Sequence, residues 1–371
     1  MSISSNVARP QAHSLPVMHC LHSFPRLPRV FSIVFIAAVV SQSAVVAQTN
    51  WISAKAGKTD FQLHPAKPVD PSLVLGNESC VKCHAPEITV WKATPHAKTF
   101  DQLHRQPEAK QIAAKLGLRS IKHSGRCVAC HYTQQSAPRE SPHVIAGVSC
   151  ESCHGEAKHW VDVHHDYGGP NISRLAESAG HKADRIAKSV AAGMRNPVNA
   201  YLVAQSCLRC HTTADEELVN VGGHSAGSLD FEFVSWSQGT IRHNFVASEG
   251  RSNATRSSEK LRVMFVAGMI AELEASLRAT AVATEKATFG ITSAQRASRA
   301  TKRIQSVAQK VDEPILSEIL EVVASVKLKL NNQDQLTQAA DRVAKLGFRF
   351  AEKNDGTNLS ALDPFVPKGR K

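Results

Sequence analysis

The chain has 371 residues and a net charge of +12, from 44 Lys and Arg against 32 Asp and Glu. That length accommodates two domains, or one domain with an appendage. A basic balance invites a nucleic-acid reading, but no interleaved aromatic–basic motif occurs and most of the excess lies after residue 250, which argues against nucleic acid as a partner.

No acidic residue occurs through Ala47, and Arg9, Arg26 and Arg29 precede the apolar run VFSIVFIAAVV (30–40). Small residues in AVVAQ follow. This is the pattern of a signal peptide over 1–47 with cleavage after Ala47. The alternative is an uncleaved N-terminal anchor, the one case in which the membrane is a partner. Either way the remainder is exported, to a periplasm or its equivalent. Residues 48–75 are polar and interrupted by proline (HPAKPVDPS) and read as a linker.

Residues 76–250 carry a pentapeptide four times: CVKCH (80–84), CVACH (127–131), CESCH (150–154) and CLRCH (207–211). Of nine cysteines, Cys20 lies in the targeting segment and the other eight are consumed by these motifs. Disulfides would explain an even count but not a histidine after every pair. Zinc would need two motifs brought together and leaves the fixed position of His unexplained. Covalent haem attachment explains both: each cysteine forms a thioether with one vinyl group, and the adjacent histidine lies under the iron. The sequence therefore predicts four covalently bound c-type haems, held through Cys80, Cys83, Cys127, Cys130, Cys150, Cys153, Cys207 and Cys210. Their proximal ligands are His84, His131, His154 and His211. The haems supply much of the interior, so short helices after each motif suffice, with loops such as ESPHVIAG and HDYGGPN between them. Trp91 and Trp236 read as packing residues against haem or helix.

No His or Cys follows His243. From residue 251 to 360 the pattern becomes helical. SSEKLRVMFVAGMIAELEASLRAT starts at a serine cap and places Leu261, Met264, Phe265, Met269, Leu273 and Leu277 on one stripe. SAQRASRATKRIQSVAQKV is a second, more polar helix. EPILSEILEVVASVKLKL has Pro314 in its first turn, and QDQLTQAADRVAKLGFRFAE is a fourth. The fold class is mainly α: a multihaem segment followed by an antiparallel helical bundle. The bundle has no ligand set, so it reads as a docking or homodimer surface, or as a structural cap. The tail 361–371 (DPFVPKGRK at its end) reads as flexible.

The motif constellation resembles the tetrahaem cytochrome c-554 family over about residues 76–246. The residues that carry the resemblance are CVKCH followed by Trp91, Thr94 and His96 in VWKATPHAK, the closely spaced CVACH and GVSCESCHG, and CLRCH followed by FEFVSWSQGTIRHNF. The resemblance implies distal ligands at three irons. His96 would reach the fourth haem, His159 or His164 the first (with His165 as a competitor), and His243 the third, with His224 as rival. It implies an open second iron, which His143 could close; His123 would be a proton donor if it stayed open. His104, His123 and His181 otherwise read as surface or propionate-contacting residues. The function so implied is electron transfer between redox partner proteins. Two alternatives stand beside it: reduction of a small nitrogen oxide at an open second haem, and a haem-bearing docking subunit of a larger oxidoreductase. The absence of a CxxCK motif argues against a nitrite-reductase type of site.

Overall fold

The computed structural model describes residues 67–370. The expected signal peptide or anchor, Cys20 and the expected linker through residue 66 lie outside the described residues, as does Lys371. Among the described residues no helix is long and apolar enough to cross a membrane.

The first motif lies in α1 (Glu78–Ala93), which kinks at His84 (φ −119°, ψ 34°). Pro86, two residues on, cannot donate a helical hydrogen bond and its ring crowds the preceding turn. Thr94 ends this helix and caps the next, α2 (Pro95–Gln102), accepting from the Ala97 amide with Pro95 in the first turn. After α3 (Pro107–Lys115) the second motif forms α4 (Gly125–His131). A short antiparallel hairpin, β1 (Thr133–Gln135) with β2 (His143–Ala146), then leads to the third motif in α5 (Cys150–His154). Part of ESPHVIAG, expected as loop, is therefore strand, because HVIA pairs antiparallel with β1 and runs from exposed His143 to buried Ala146. Next come α6 (Ala179–Ala191), α7 (Ala200–His211) with the fourth motif, α8 (Glu216–Asn220) and α9 (Phe233–Ser237). In α4, α5 and α7 the motif histidine is the last helical residue.

The C-terminal part is α10 (Ser258–Ala281), α11 (Thr288–Ala308), α12 (Pro314–Ala324) and α13 (Gln333–Lys353). Ser257 caps α10 through the Lys260 amide, and Glu313 with Pro314 starts α12. Successive helices pack on one another after short connections, as in an up-and-down bundle. The expected single stripe on α10 is a correction to make. Residues on every side of α10 are buried, including Val263, Ala267, Ile270 and Glu274, which is the mark of a helix enclosed all round. The reason is that α7, the helix of the fourth motif, covers the side that α11 and α13 leave open. One apolar core therefore runs from Tyr201, Leu202 and Leu208 of α7 into Ile270, Leu273, Ile304, Leu316, Val343 and Phe350 of the bundle. Gly347 marks the closest approach: a Cβ there would stand 2.4 Å from the Tyr201 ring.

Both ends of the described chain are docked rather than loose. Val74, in the expected linker, is buried, and Leu73 accepts a hydrogen bond from the Lys158 amide. The expected flexible tail is corrected too. A 3₁₀ helix spans Thr357–Phe365 with Leu359 and Leu362 buried. Beyond it, the Arg370 amide donates to Ser235 O at 2.7 Å and its guanidinium lies over the Trp236 ring.

Candidate functional site

Each motif histidine faces a second histidine from a distant part of the chain. Ring centroids are 6.3 Å apart for His84 and His164, 6.2 Å for His96 and His211, 6.1 Å for His131 and His224, and 6.2 Å for His154 and His243. A metal bonded to two opposed imidazoles holds each ring centre at about 3 Å, so the rings lie about 6 Å apart. All four pairs have that spacing.

The tautomers suit ligation. Nδ1 faces a backbone carbonyl in His154 (Arg195 O, 3.3 Å), His164 (Val161 O, 2.5 Å), His224 (Ser225 O, 2.8 Å) and His243 (Ile241 O, 2.6 Å). A carbonyl only accepts, so Nδ1 carries the proton and Nε2 keeps its lone pair for a metal. His211 Nδ1 bonds Ser228 Oγ at 2.8 Å, to the same effect. Burial pushes His131, His154 and His211 down to about 4, so these rings are neutral.

The variable residues inside the motifs tie the motifs together. Arg209, from CLRCH, donates to Ala129 O of the second motif at 3.2 Å and to Ser152 O of the third at 3.3 Å. Glu151, from CESCH, accepts from the Leu75, Gly76 and Ala157 amides at 2.8–2.9 Å, fixing the entry to α1. The cysteines adjoin across motifs. Cys80 lies beside Cys150, and Cys130 beside Cys210. Cys153 lies within electrostatic reach of Cys207 and Cys210. The motifs thus follow one another in space in the order first, third, fourth, second.

His96 and His243 stand opposite His211 and His154. His159 does not stand opposite His84: it is exposed in the turn after α5, and His164 occupies that place from the next turn. His165 is exposed, with Nδ1 on the same Val161 carbonyl. His143 is exposed at the start of β2, and the ring facing His131 is that of His224. His123 bonds Ser120 Oγ, and His181 pairs with Glu177. His224 could have been found as the other histidine between the fourth motif and the end of the ligand-bearing segment. Arg209 and Glu151 were signalled by full charges in motif positions that CVACH fills with Val and Ala.

These residues fit haem better than a bare ion. Among the described residues no group of three or more His, Cys, Asp or Glu could hold a metal ion by itself. Each histidine pair would give an iron two imidazole donors, and a haem would supply the rest. All eight described cysteines are free, two beside each proximal histidine, as thioether attachment requires. Buried donors without a partner also occur at these histidines. Trp160 Nε1 is one, its ring 5.2 Å from His164, and Arg296 Nε and Nη2 are others, on a side chain bonded to His211 O.

Residues 79–155, which include the first three motifs and His96, match the family described as cytochrome c554 and c-prime. Cytochrome c-554 of Nitrosomonas europaea is 32% identical over 117 residues, 30% of this chain and 48% of that protein. The chain thus spans about half the length of that curated relative. No solved structure matches it.

Proposed function

We propose that this chain, a member of the cytochrome c-554 family, is an exported electron carrier that relays electrons between redox proteins through four covalently bound haems, each closed by two histidines. In the first centre Cys80 and Cys83 would form the thioethers, with His84 and His164 on the two faces. The second would use Cys127, Cys130, His131 and His224. The third would use Cys150, Cys153, His154 and His243, and the fourth Cys207, Cys210, His211 and His96. When bound, haem iron supplies a one-electron couple whose potential follows axial ligand, burial and nearby charge.

The observation that carries this reading is the matching ring spacing of all four pairs. A carrier works best when coordination does not change with oxidation state, and two fixed imidazoles per iron hold it constant. The Nδ1 hydrogen bonds to backbone hold the rings in place without a side-chain rearrangement. The spatial order of the motifs supports a single conduit with the first and second motifs at its ends. Reduction of a nitrogen oxide would require a vacant iron position, and His224 stands where the second iron would offer one.

The test is spectroscopic. The pyridine haemochrome of the purified protein should count about four haems per chain that resist acid–acetone extraction, following the four attachment motifs. The oxidised protein should show low-spin EPR signals alone, and the reduced protein should leave carbon monoxide unbound. Replacing His224 with Ala should turn one iron high-spin and open it to carbon monoxide, with haem content unchanged. Extractable haem would overturn the attachment, and a high-spin iron in the unaltered protein would overturn the closure of all four centres by histidine pairs.

A further inference from the structure

Arg296 belongs to α11, a bundle helix with no haem motif, and is 1% exposed. Its Nη1 donates to the carbonyl of His211, the proximal histidine of the fourth motif, at 3.0 Å. Nothing accepts from Nε or Nη2, although both are buried. The nearest carboxylate oxygen, Glu272 Oε1, is 3.9 Å from Nη2, too far for a hydrogen bond, and the other oxygen of Glu272 is held by Arg303 at 2.9 Å. The route to His211 is built for this side chain. Gly227 has φ +84°, and a Cβ there would stand 2.2 Å from Arg296 Nη1. Phe231 stacks on His211 at 4.7 Å and Trp236 meets it edge-on at 5.1 Å, so water has little access from that side.

A buried guanidinium with half its fork unpaired is strongly disfavoured. The missing partner is an acceptor, anionic and able to take two N–H groups at once, and a carboxylate meets all three conditions. The partly engaged Glu272 does not reach it. Resting on the haem reading above, we propose that Arg296 is the partner of a haem propionate at the fourth motif, so that the bundle completes a cofactor site rather than merely adjoining one. The bundle then acts on electron transfer directly: a fixed positive charge beside the fourth haem compensates the propionate and raises that haem's potential.

The experiment uses the full-length haem-loaded protein with Arg296→Gln and Arg296→Lys. Haem content is measured first; loss of covalent haem from the unaltered protein counts against the haem reading, not against this one. Resonance Raman then reads the propionate-bending bands, and spectropotentiometry at several pH values reads the midpoints. With Arg296→Gln, one propionate band should shift, and one haem midpoint should fall and become pH-dependent near neutrality as the released propionate titrates. Arg296→Lys keeps the charge but not the fork, so its midpoint should stay near the original while its band still shifts. Should the Gln variant fail to load haem, the Lys variant carries the band test. Unchanged bands in the loaded variants would mean that water or Glu272 serves the orphaned donors, and would overturn the contact. A midpoint shift without a band shift would make Arg296 a distant charge and overturn it equally.

Discussion

Glu274 gives the sharpest test of how the haem-bearing helix is held to the bundle. It is 2% exposed on α10, and its carboxylate accepts from the Tyr201 hydroxyl, from Gln205 Nε2 at 3.0 and 2.9 Å, and from Arg278 Nε at 2.9 Å. Tyr201 and Gln205 lie on α7, just ahead of the fourth motif. Glu274→Ala would strand a fully buried hydroxyl and amide, while Arg278 keeps Asp341 at 2.8 Å. Breaking a buried ion pair costs about 3–5 kcal/mol, and each orphaned neutral donor about 1–3 kcal/mol. These are not additive within one network, and Arg278 retains a partner, so a loss of about 4 kcal/mol is expected. Tyr201→Phe leaves the carboxylate with its other donors, so about 1–2 kcal/mol is expected there. In the double variant, Tyr201→Phe should add almost nothing to Glu274→Ala, because its partner is already gone. Guanidinium unfolding of the haem-loaded protein, followed by far-ultraviolet circular dichroism and by the Soret band, measures all three. A Glu274→Ala loss below about 1 kcal/mol, or a Tyr201→Phe loss as large as that of Glu274→Ala, would refute the network as the joint between α7 and α10.

The first pair of histidines can be separated by two substitutions: His164→Ala should turn one low-spin iron high-spin, and His159→Ala should leave the EPR spectrum unchanged. The reverse result would restore His159 as the ligand. Lys260 predicts a pH dependence. Burial, with Arg256 nearby, pushes it down to about 8, and its Nζ donates to Val198 O at 2.9 Å. Below about 8 both folded and unfolded chains hold this proton; between about 8 and the unfolded value of about 10.4 the unfolded chain holds more. This group therefore makes stability rise with pH across that window. Unfolding midpoints at pH 7.5 and 9.5 should show a smaller rise, or a larger fall, in Lys260→Met than in the unaltered chain. Equal differences in the two proteins would refute the assignment.

The motifs and the bundle were legible because their signals are local. A CxxCH motif is five adjacent residues, Ser257 and Pro314 mark helix starts within a turn, and the mainly α character follows from periodicity. The distal histidines were legible only in part because each is chosen by tertiary structure. His159 and His164 both follow the third motif, and only the turn after Trp160 decides which ring is carried towards His84. Proximity in sequence offered His143 as a residue that could close an otherwise open second iron, but β2 leaves it exposed. On α10 the apolar stripe was read as a single face because the covering helix, α7, comes from the haem-bearing segment. Arg296 had no local signal at all: one arginine among several on a polar helix, distinguished only by where α11 packs.

The pairing of His224 with His131 depends on how the chain carries His224 there. Arg126, just before Cys127, pairs with Asp215 at 2.7 Å and with Glu217 at 2.8 Å, drawing α8 against the second motif. The other side of α8 is held by the bundle: Glu216 accepts from the Thr284 and Glu285 amides at 2.9–3.1 Å, and Asn220 Oδ1 accepts from the Phe289 amide at 3.0 Å. Partly exposed ion pairs such as those of Arg126 are weak singly, but here they act with backbone-directed bonds on a five-residue helix that has little freedom left. The chain leaves α8 through Gly222 and Gly223 and reaches His224 with its amide on Leu218 O at 3.1 Å. The loop that carries His224 opposite His131 is thus gripped between the second motif and the α10–α11 connection. Without the bundle that grip would be lost, and the position opposite His131 would be the first to open. Through α8 the bundle, which carries no His or Cys, thus fixes the position of the ring that faces His131.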